Sequence, residues 1–429
     1  MHKHFRYNAQ WWDIASHWRS LFVVYPDTAV LDGWRGLSML LVFIFHLFFT
    51  VQEFVTPEGF QFFYHATHWA LLWVWAGDRG VDIFFVLSGF LIGASLLKQW
   101  RLTGEVAVRS FWYRRILRLA PVYYLILLLY WLASGPNADN IWANFLYINN
   151  YLSYEQGAML WSWSLAIEMQ FYLLLPLLLA AGFFRLRPST RWLLMSIVLL
   201  LAVAFRAHIL YADERLVSAE PWQFLLDKPT FKHFFTVFYD NFETRFGSLL
   251  IGFMAAYVLA FHNEASRLFW ARWYGVLCVL VALMLVLMLT VLPGVVYRVT
   301  GDDTNAAFGG QWQLIYLIGH RYVYSAAIAV LMLYSLQAGG IARVLQVFLA
   351  CRLWVPLARL SYSIYLIHIM VIFAVYKLTL PVQSYGYIDY EDFSGFRFVW
   401  LALLSGGITL VVALCLYLFI ERPFMQLRR

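Results

Sequence analysis

Charge is what this sequence is short of. Of its 429 residues only 13% are charged, about half the share of a soluble domain, while 62% are hydrophobic. No soluble globular class fits that balance, and a polytopic membrane protein does. Cysteine is scarce too. Cys278, Cys351 and Cys415 lie in or beside apolar runs without metal-ligand or disulfide spacing, which leaves packing as their role. No P-loop, Gly-rich dinucleotide turn or Gly-x-Ser-x-Gly elbow occurs, nor any internal repeat, low-complexity tract or appended soluble domain. Residues 1–30 lack a cleavable signal pattern. Their Trp11, Ile14, Trp18, Leu21 and Phe22 instead predict an amphipathic helix lying on a membrane surface.

What is abundant is long apolar sequence with aromatic flanks: 20 Trp, 27 Tyr and 37 Phe suit belts at two membrane interfaces. Runs long enough to span fall near 37–54, 80–98, 119–133, 163–183, 192–210, 245–262, 271–293, 313–338, 359–378 and 396–420. The expected fold is therefore an all-α integral membrane protein of about ten transmembrane helices, with 1–30 as an interfacial segment and 31–425 as one membrane domain. The run at 119–133 is short, so it tilts or is extended by its flanking helix. A further apolar stretch, 69–76, is too short to cross and reads as re-entrant or interfacial. The formal net charge of +7 is read by position. Lys3, Arg6, Arg19 and Arg35 precede the first span, and connection 55–77 has no Lys or Arg. Connection 99–118 carries Arg101, Arg109, Arg114, Arg115 and Arg118, and 134–162 again has neither. By the positive-inside rule both termini are expected on the cytoplasmic side. No nucleic-acid partner is expected; the lipid bilayer is.

Four constellations carry chemistry. The stretch Leu31–Phe49 opens with Asp32, Gly33, Arg35 and Gly36 and runs into an apolar helix holding one histidine, His46. Arg35 and His46 share nearly one helix face about 16 Å apart, which puts His46 about halfway through a hydrocarbon core of about 30 Å if Arg35 marks its edge. An ionisable group at that depth is either functional or hydrogen-bonded to a neighbouring helix. Arg114, Arg115 and Arg118 form the densest basic group. Arg115 and Arg118 share a face suited to gripping phosphates, and an anchor on anionic lipid head groups is the plainer alternative. Asp78, Arg79 and Asp82 stand at the expected outer mouth of the second span. They orient a polar acceptor or pair with each other, and Gly80, Ser88, Gly89 and Gly93 form a packing stripe below them. Glu168 lies inside an apolar helix, either orienting His46 as a base or bridged to Arg245 or another arginine. Weaker positions are Arg245, His320 beside Arg321, and His368 with Ser361 seven residues earlier. His65 and His68 have metal-like spacing but no third ligand, so no metal site is assigned.

Seven strings fall here in one order: LDGWRGLSMLLVFIFH, the Gly80-Val81 to Ser88-Gly89-Phe90 stretch, YRRILRLAP, WSLAIEMQFYLLLP, RFGSLLIGF, LSYSIYLIH and IERPF. In that order they resemble the acyltransferase 3 family over about residues 30–425. The resemblance implies a bacterial inner-membrane enzyme that takes an acyl group, usually acetyl, from cytoplasmic acyl-CoA and passes it to a hydroxyl of an extracytoplasmic glycan. It implies catalytic roles for His46 and Arg35, whose spacing matches the family's, and a CoA-binding role for Arg115 and Arg118. Some members carry a periplasmic hydrolase-like domain; none is expected in this chain. Direct transfer and an acyl-histidine intermediate both remain open. So do succinyl transfer to a periplasmic glucan and acylation of a small hydroxylated metabolite. The rival classes are a secondary transporter, disfavoured because the halves show no symmetry, and the membrane-bound O-acyltransferase lineage.

Overall fold

The computed structural model describes residues 13–427 apart from 297, 299–309, 338–341 and 385. Ten helices in it are long and apolar enough to cross a membrane. They are α1 (Ala29–Phe49, continued by a 3₁₀ turn Thr50–Glu53), α2 (Arg79–Thr103), α3 (Val108–Leu132), α4 (Trp163–Ala180) and α5 (Pro188–Ala212). The second half holds α6 (Phe242–Phe261), α7 (Trp273–Val296), α8 (Gln311–Ser335), α9 (Trp354–Thr379) and α10 (Gly395–Leu416). Among the described residues there is no strand, as expected of backbone that must satisfy itself within hydrocarbon.

Burial separates an inner layer of helices from the lipid-facing ones, and the most apolar of the ten lies outside. The most buried, α2 (72%), α6 and α9 (67% each), α4 and α8 (61% each), are mostly moderate in hydropathy, and α1 joins them at 50%. Only 22% of α5 and of α7 is buried, and α7 has the highest mean hydropathy of all, 3.0. A helix that is apolar all round faces lipid, and one that carries polar groups must face its neighbours. The ionisable residues discussed above sit mainly on the inner layer. The tightest contact joins α2 to α6: a Cβ added at Gly89 would lie 1.9 Å from the Leu249 carbonyl oxygen, and one at Gly252 would lie 2.0 Å from that of Val86. Of the expected packing stripe Gly89 makes this crossing, while Gly80 packs on the Ser38 carbonyl of α1 and Gly93 on the Phe253 ring.

Helix ends fall into two sets. At one end Arg101 donates to the Ala260 carbonyl (2.8 Å), Arg359 pairs with Asp32 (3.4 Å), and His17 Nδ1 donates to the Leu418 carbonyl (2.9 Å). At the other, Lys228 pairs with Glu53 (2.8 Å) and the Ile388 amide donates to the Phe54 carbonyl (2.8 Å). The short run at 119–133 is resolved by extension: α3 begins at Val108, so Arg109, Arg114, Arg115 and Arg118 lie on helix, not in a loop. The stretch Trp69–Ala76 forms a 3₁₀ helix capped by His68, whose Nδ1 accepts from the Ala70 amide (3.2 Å). Near the N-terminus Ile14–Ser20 is helical, with Ile14, Trp18 and Phe22 exposed and Leu21 buried; Trp11 lies outside the described residues.

Candidate active site

Two cavities open inside the inner layer, and α1 lines both. The larger, about 570 Å³, is bounded by Phe45, His46 and Glu53 of the α1 segment and by a shell of rings that includes Trp75, Trp163 and Tyr239. Its size is ordinary for a small-molecule site. The smaller, about 70 Å³, is lined by Arg35, Arg115, Arg118, Ser88, Glu168 and Tyr172. Val81 and Tyr365 belong to both walls. Arg35 and His46 therefore stand on one helix with a cavity each.

The larger cavity contains the acid–base candidate. His46 is half-buried, and its Nδ1 lies 2.8 Å from the Val42 carbonyl oxygen one turn back on α1. A carbonyl only accepts, so Nδ1 carries the hydrogen, and a neutral ring then keeps the lone pair on Nε2. His368 of α9 comes within 3.1 Å of His46 Nδ1. Glu53 offers one oxygen to Lys228 at 2.8 Å, while the other has no hydrogen-bond partner.

The charges at the mouth pair with each other and with more. Asp78 accepts from Arg321 at 2.6 Å and from the Tyr239 hydroxyl at 3.2 Å, with Arg79 at 3.5 Å. Asp82 accepts from Arg321 at 2.7 Å and faces Arg245 at 3.4 Å. Burial alone would raise the Asp78 carboxyl, but the charges of Arg79 and Arg321 outweigh it and hold it below the usual carboxylate range. Asp78 and Arg79 line the cavity, whereas Asp82 is fully buried beneath it and serves the ion network. Of the two alternatives the sequence offered, ion pairing accounts for Asp82, and Asp78 and Arg79 pair while also facing the cavity.

Two further expectations change. His46 and Glu168 do not meet, because Glu168 faces α2 where His46 faces α9. Its carboxylate accepts from Ser88 (2.5 Å) and from Tyr172 (2.9 Å), and it makes no bridge to Arg245, which pairs with Asp82. Arg114 is separated from Arg115 and Arg118. It donates to Ser110 one turn back and is absent from the cavity wall, while Arg115 lies over the Phe111 and Tyr172 rings, 5.3 and 5.8 Å from their centroids. Arg35 is held at 3.6 Å from Asp32.

Sequence reasoning did not single out Tyr365, Tyr239 or Glu53. Tyr365 had a signal, standing three residues before His368 on the same helix face. Tyr239 had none, since the π-helical turn Phe235–Tyr239 breaks the 3.6-residue period that would have placed its ring.

A ten-helix membrane core with a half-buried histidine on the wall of an aromatic cavity, and a cationic cavity adjoining it, defines an integral membrane protein with a site for polar chemistry. The sequence model of the family described as an acyltransferase domain, acyltransferase 3, matches residues 29–418, and the chain belongs to that family. The peptidoglycan O-acetyltransferase OatA of Listeria monocytogenes is 28% identical over 420 residues, 92% of this chain and 55% of that protein. A Staphylococcus aureus protein provisionally named an O-acetyltransferase is 24% identical over 419 residues, 92% of this chain and 57% of its own. The chain thus spans just over half the length of these relatives. No solved structure matches it.

Proposed function

We propose that this chain moves an acyl group, acetyl first among the candidates, from cytoplasmic acyl-CoA to a hydroxyl of a cell-wall carbohydrate, across the bacterial inner membrane. The observation that carries the reading is the pair of cavities meeting at Val81 and Tyr365, with arginines on one side and His46 on the other. The names of the relatives support the carbohydrate acceptor.

The charges on CoA suit the Arg35, Arg115 and Arg118 end, where guanidinium groups make charge-assisted bonds to phosphate. The space on that side, about 70 Å³, is far narrower than the other cavity, so the slender acyl arm follows α1 inward as side chains part. The acceptor sits among the rings of the larger cavity, with Glu53 and Asp78 to accept hydrogen bonds from sugar hydroxyls. His46 Nε2 removes the proton of the reacting hydroxyl as its oxygen attacks the thioester carbonyl. The carbon–sulfur bond then breaks, and the departing thiolate recovers the proton from His46. Neither bulky substrate crosses the membrane.

Reconstituted protein supplied with acetyl-CoA and soluble peptidoglycan fragments should transfer acetyl. A general base typically contributes about 10²–10⁴-fold, so His46→Ala should abolish detectable transfer while CoA still binds. His46→Asn should also be inactive, since an amide cannot take the proton. Near-normal transfer by the Asn variant would overturn the assignment of His46, and a wild-type protein that carried solutes without consuming acyl-CoA would overturn the enzyme.

A further inference from the structure

We infer that His368 is the positioning residue of His46, the middle member of a chain running from a backbone carbonyl through two imidazoles to the reacting hydroxyl. The inference rests on the reading of His46 as the base.

The carbonyl partners assign the hydrogen on each of the two rings. His368 Nδ1 lies 2.8 Å from the Tyr365 carbonyl oxygen and 3.2 Å from that of Ile364. Both oxygens only accept, so Nδ1 carries the hydrogen and Nε2 of the neutral ring is a bare acceptor. That bare nitrogen is 3.1 Å from His46 Nδ1, which donates to it and shares its hydrogen with the Val42 carbonyl. The rings meet edge to face, 4.8 Å between centroids with 69° between planes. His46 is left with one conformation in which its lone pair lies on Nε2.

The Val42 carbonyl alone would not hold the ring so firmly. It belongs to the same helix, one turn back, and an i−4 carbonyl is already engaged by the helix's own ladder. A half-turn of the His46 ring about its Cβ–Cγ bond would exchange Nδ1 for a carbon and move the base nitrogen away from the substrate. With His368 in place that turn also costs the bond across to α9. His368 itself has no such freedom: it is fully buried, and its outer face meets the rings of Phe43 and Tyr365 at 6.3 and 5.8 Å between centroids.

The second contribution appears only during reaction. When His46 takes the hydroxyl proton it becomes an imidazolium, and its Nδ1–H becomes a charge-assisted donor. His368 Nε2 accepts that stronger bond without moving, so it stabilises the charged state more than the resting one. This is the service a buried carboxylate gives the histidine of a Ser-His-Asp triad, provided here by a neutral ring. Glu168, the carboxylate in the sequence with that appearance, is engaged elsewhere.

Two variants separate orientation from packing. His368→Phe keeps a ring of similar shape and removes the accepting nitrogen. His368→Gln places an amide oxygen near the position of Nε2 and restores an acceptor. With acetyl-CoA and soluble peptidoglycan fragments, the Phe variant should lose kcat by on the order of tenfold to a hundredfold with KM for both substrates little changed, and Gln should recover a clear part of that loss. Wild-type activity in the Phe variant would overturn the inference, and so would an equal loss in both variants. A readout independent of catalysis uses the wild-type protein labelled with ¹⁵N-histidine in lipid. Solid-state NMR should show His46 and His368 both protonated at Nδ1 and bare at Nε2. A proton on Nε2 of His46 refutes the inference even if neither variant folds. Protein that shows these tautomers and yet transfers no acetyl group would instead count against the proposed function.

Discussion

Arg115 and Arg118 lie three residues apart, on a helix whose neighbouring Arg114 turns to Ser110. Their place with Arg35 on the wall of the smaller cavity gathers three arginines there, while the nearby Asp32 is shared between Arg35 and Arg359. A phosphate-bearing ligand would supply the negative charge these arginines lack. Replacing both Arg115 and Arg118 with Gln should therefore weaken acyl-CoA binding by about tenfold or more, taking about 1.5–3 kcal/mol for each charge-assisted contact. Calorimetry on detergent-solubilised protein checks this, and an unchanged affinity would return the pair to the role of a lipid anchor. Insertion must be verified in the same variant, because these arginines also belong to the charge pattern that sets orientation. Single residues were unevenly legible in the sequence. Arg35 and His46 were found by spacing because both lie on one helix. The partner of His46 was not, because which helix lies opposite is decided by packing. Glu168 had the right chemistry for that place, and the direction its helix faces gave the place to His368.

At the scale of elements, α2 and α6 set how close the two halves of the inner layer can come. Where a methyl group would fall 1.9 Å from a backbone oxygen, no side-chain rotation gives relief and the helices must part. Gly89→Val should accordingly destabilise the protein by about 1–3 kcal/mol or more, read as a lower midpoint in a thermal aggregation assay in detergent. Gly407, which has nothing within 4 Å of an added Cβ, provides the control: Gly407→Ala should leave the midpoint almost where it was. The stripe of small residues was visible in the sequence, and its partner again was not. The span count was legible because length and hydropathy decide it. The start of α3 was less so: a helical face for Arg115 and Arg118 was legible, but the arginines hid that one continuous helix begins as early as Val108.

For the whole molecule, the decisive arrangement is that the helix ends form two sets and the arginine-rich connections share one of them. Reporter fusions near Arg109 and Arg187 should read cytoplasmic, and fusions near Asn149 and Asp302 should read external, although Asp302 lies outside the described residues. A cytoplasmic reading at Asn149 would reverse the route proposed for CoA. The wall shared by the two cavities has a consequence for the cell as well. Val81 and Tyr365 are common to both, and the Tyr365 hydroxyl is tied to Ser164 at 2.7 Å and to the Trp161 carbonyl. If donor and acceptor enter from opposite faces as proposed, the Tyr365 ring between the two cavities also has to stop ions from leaking through the same route.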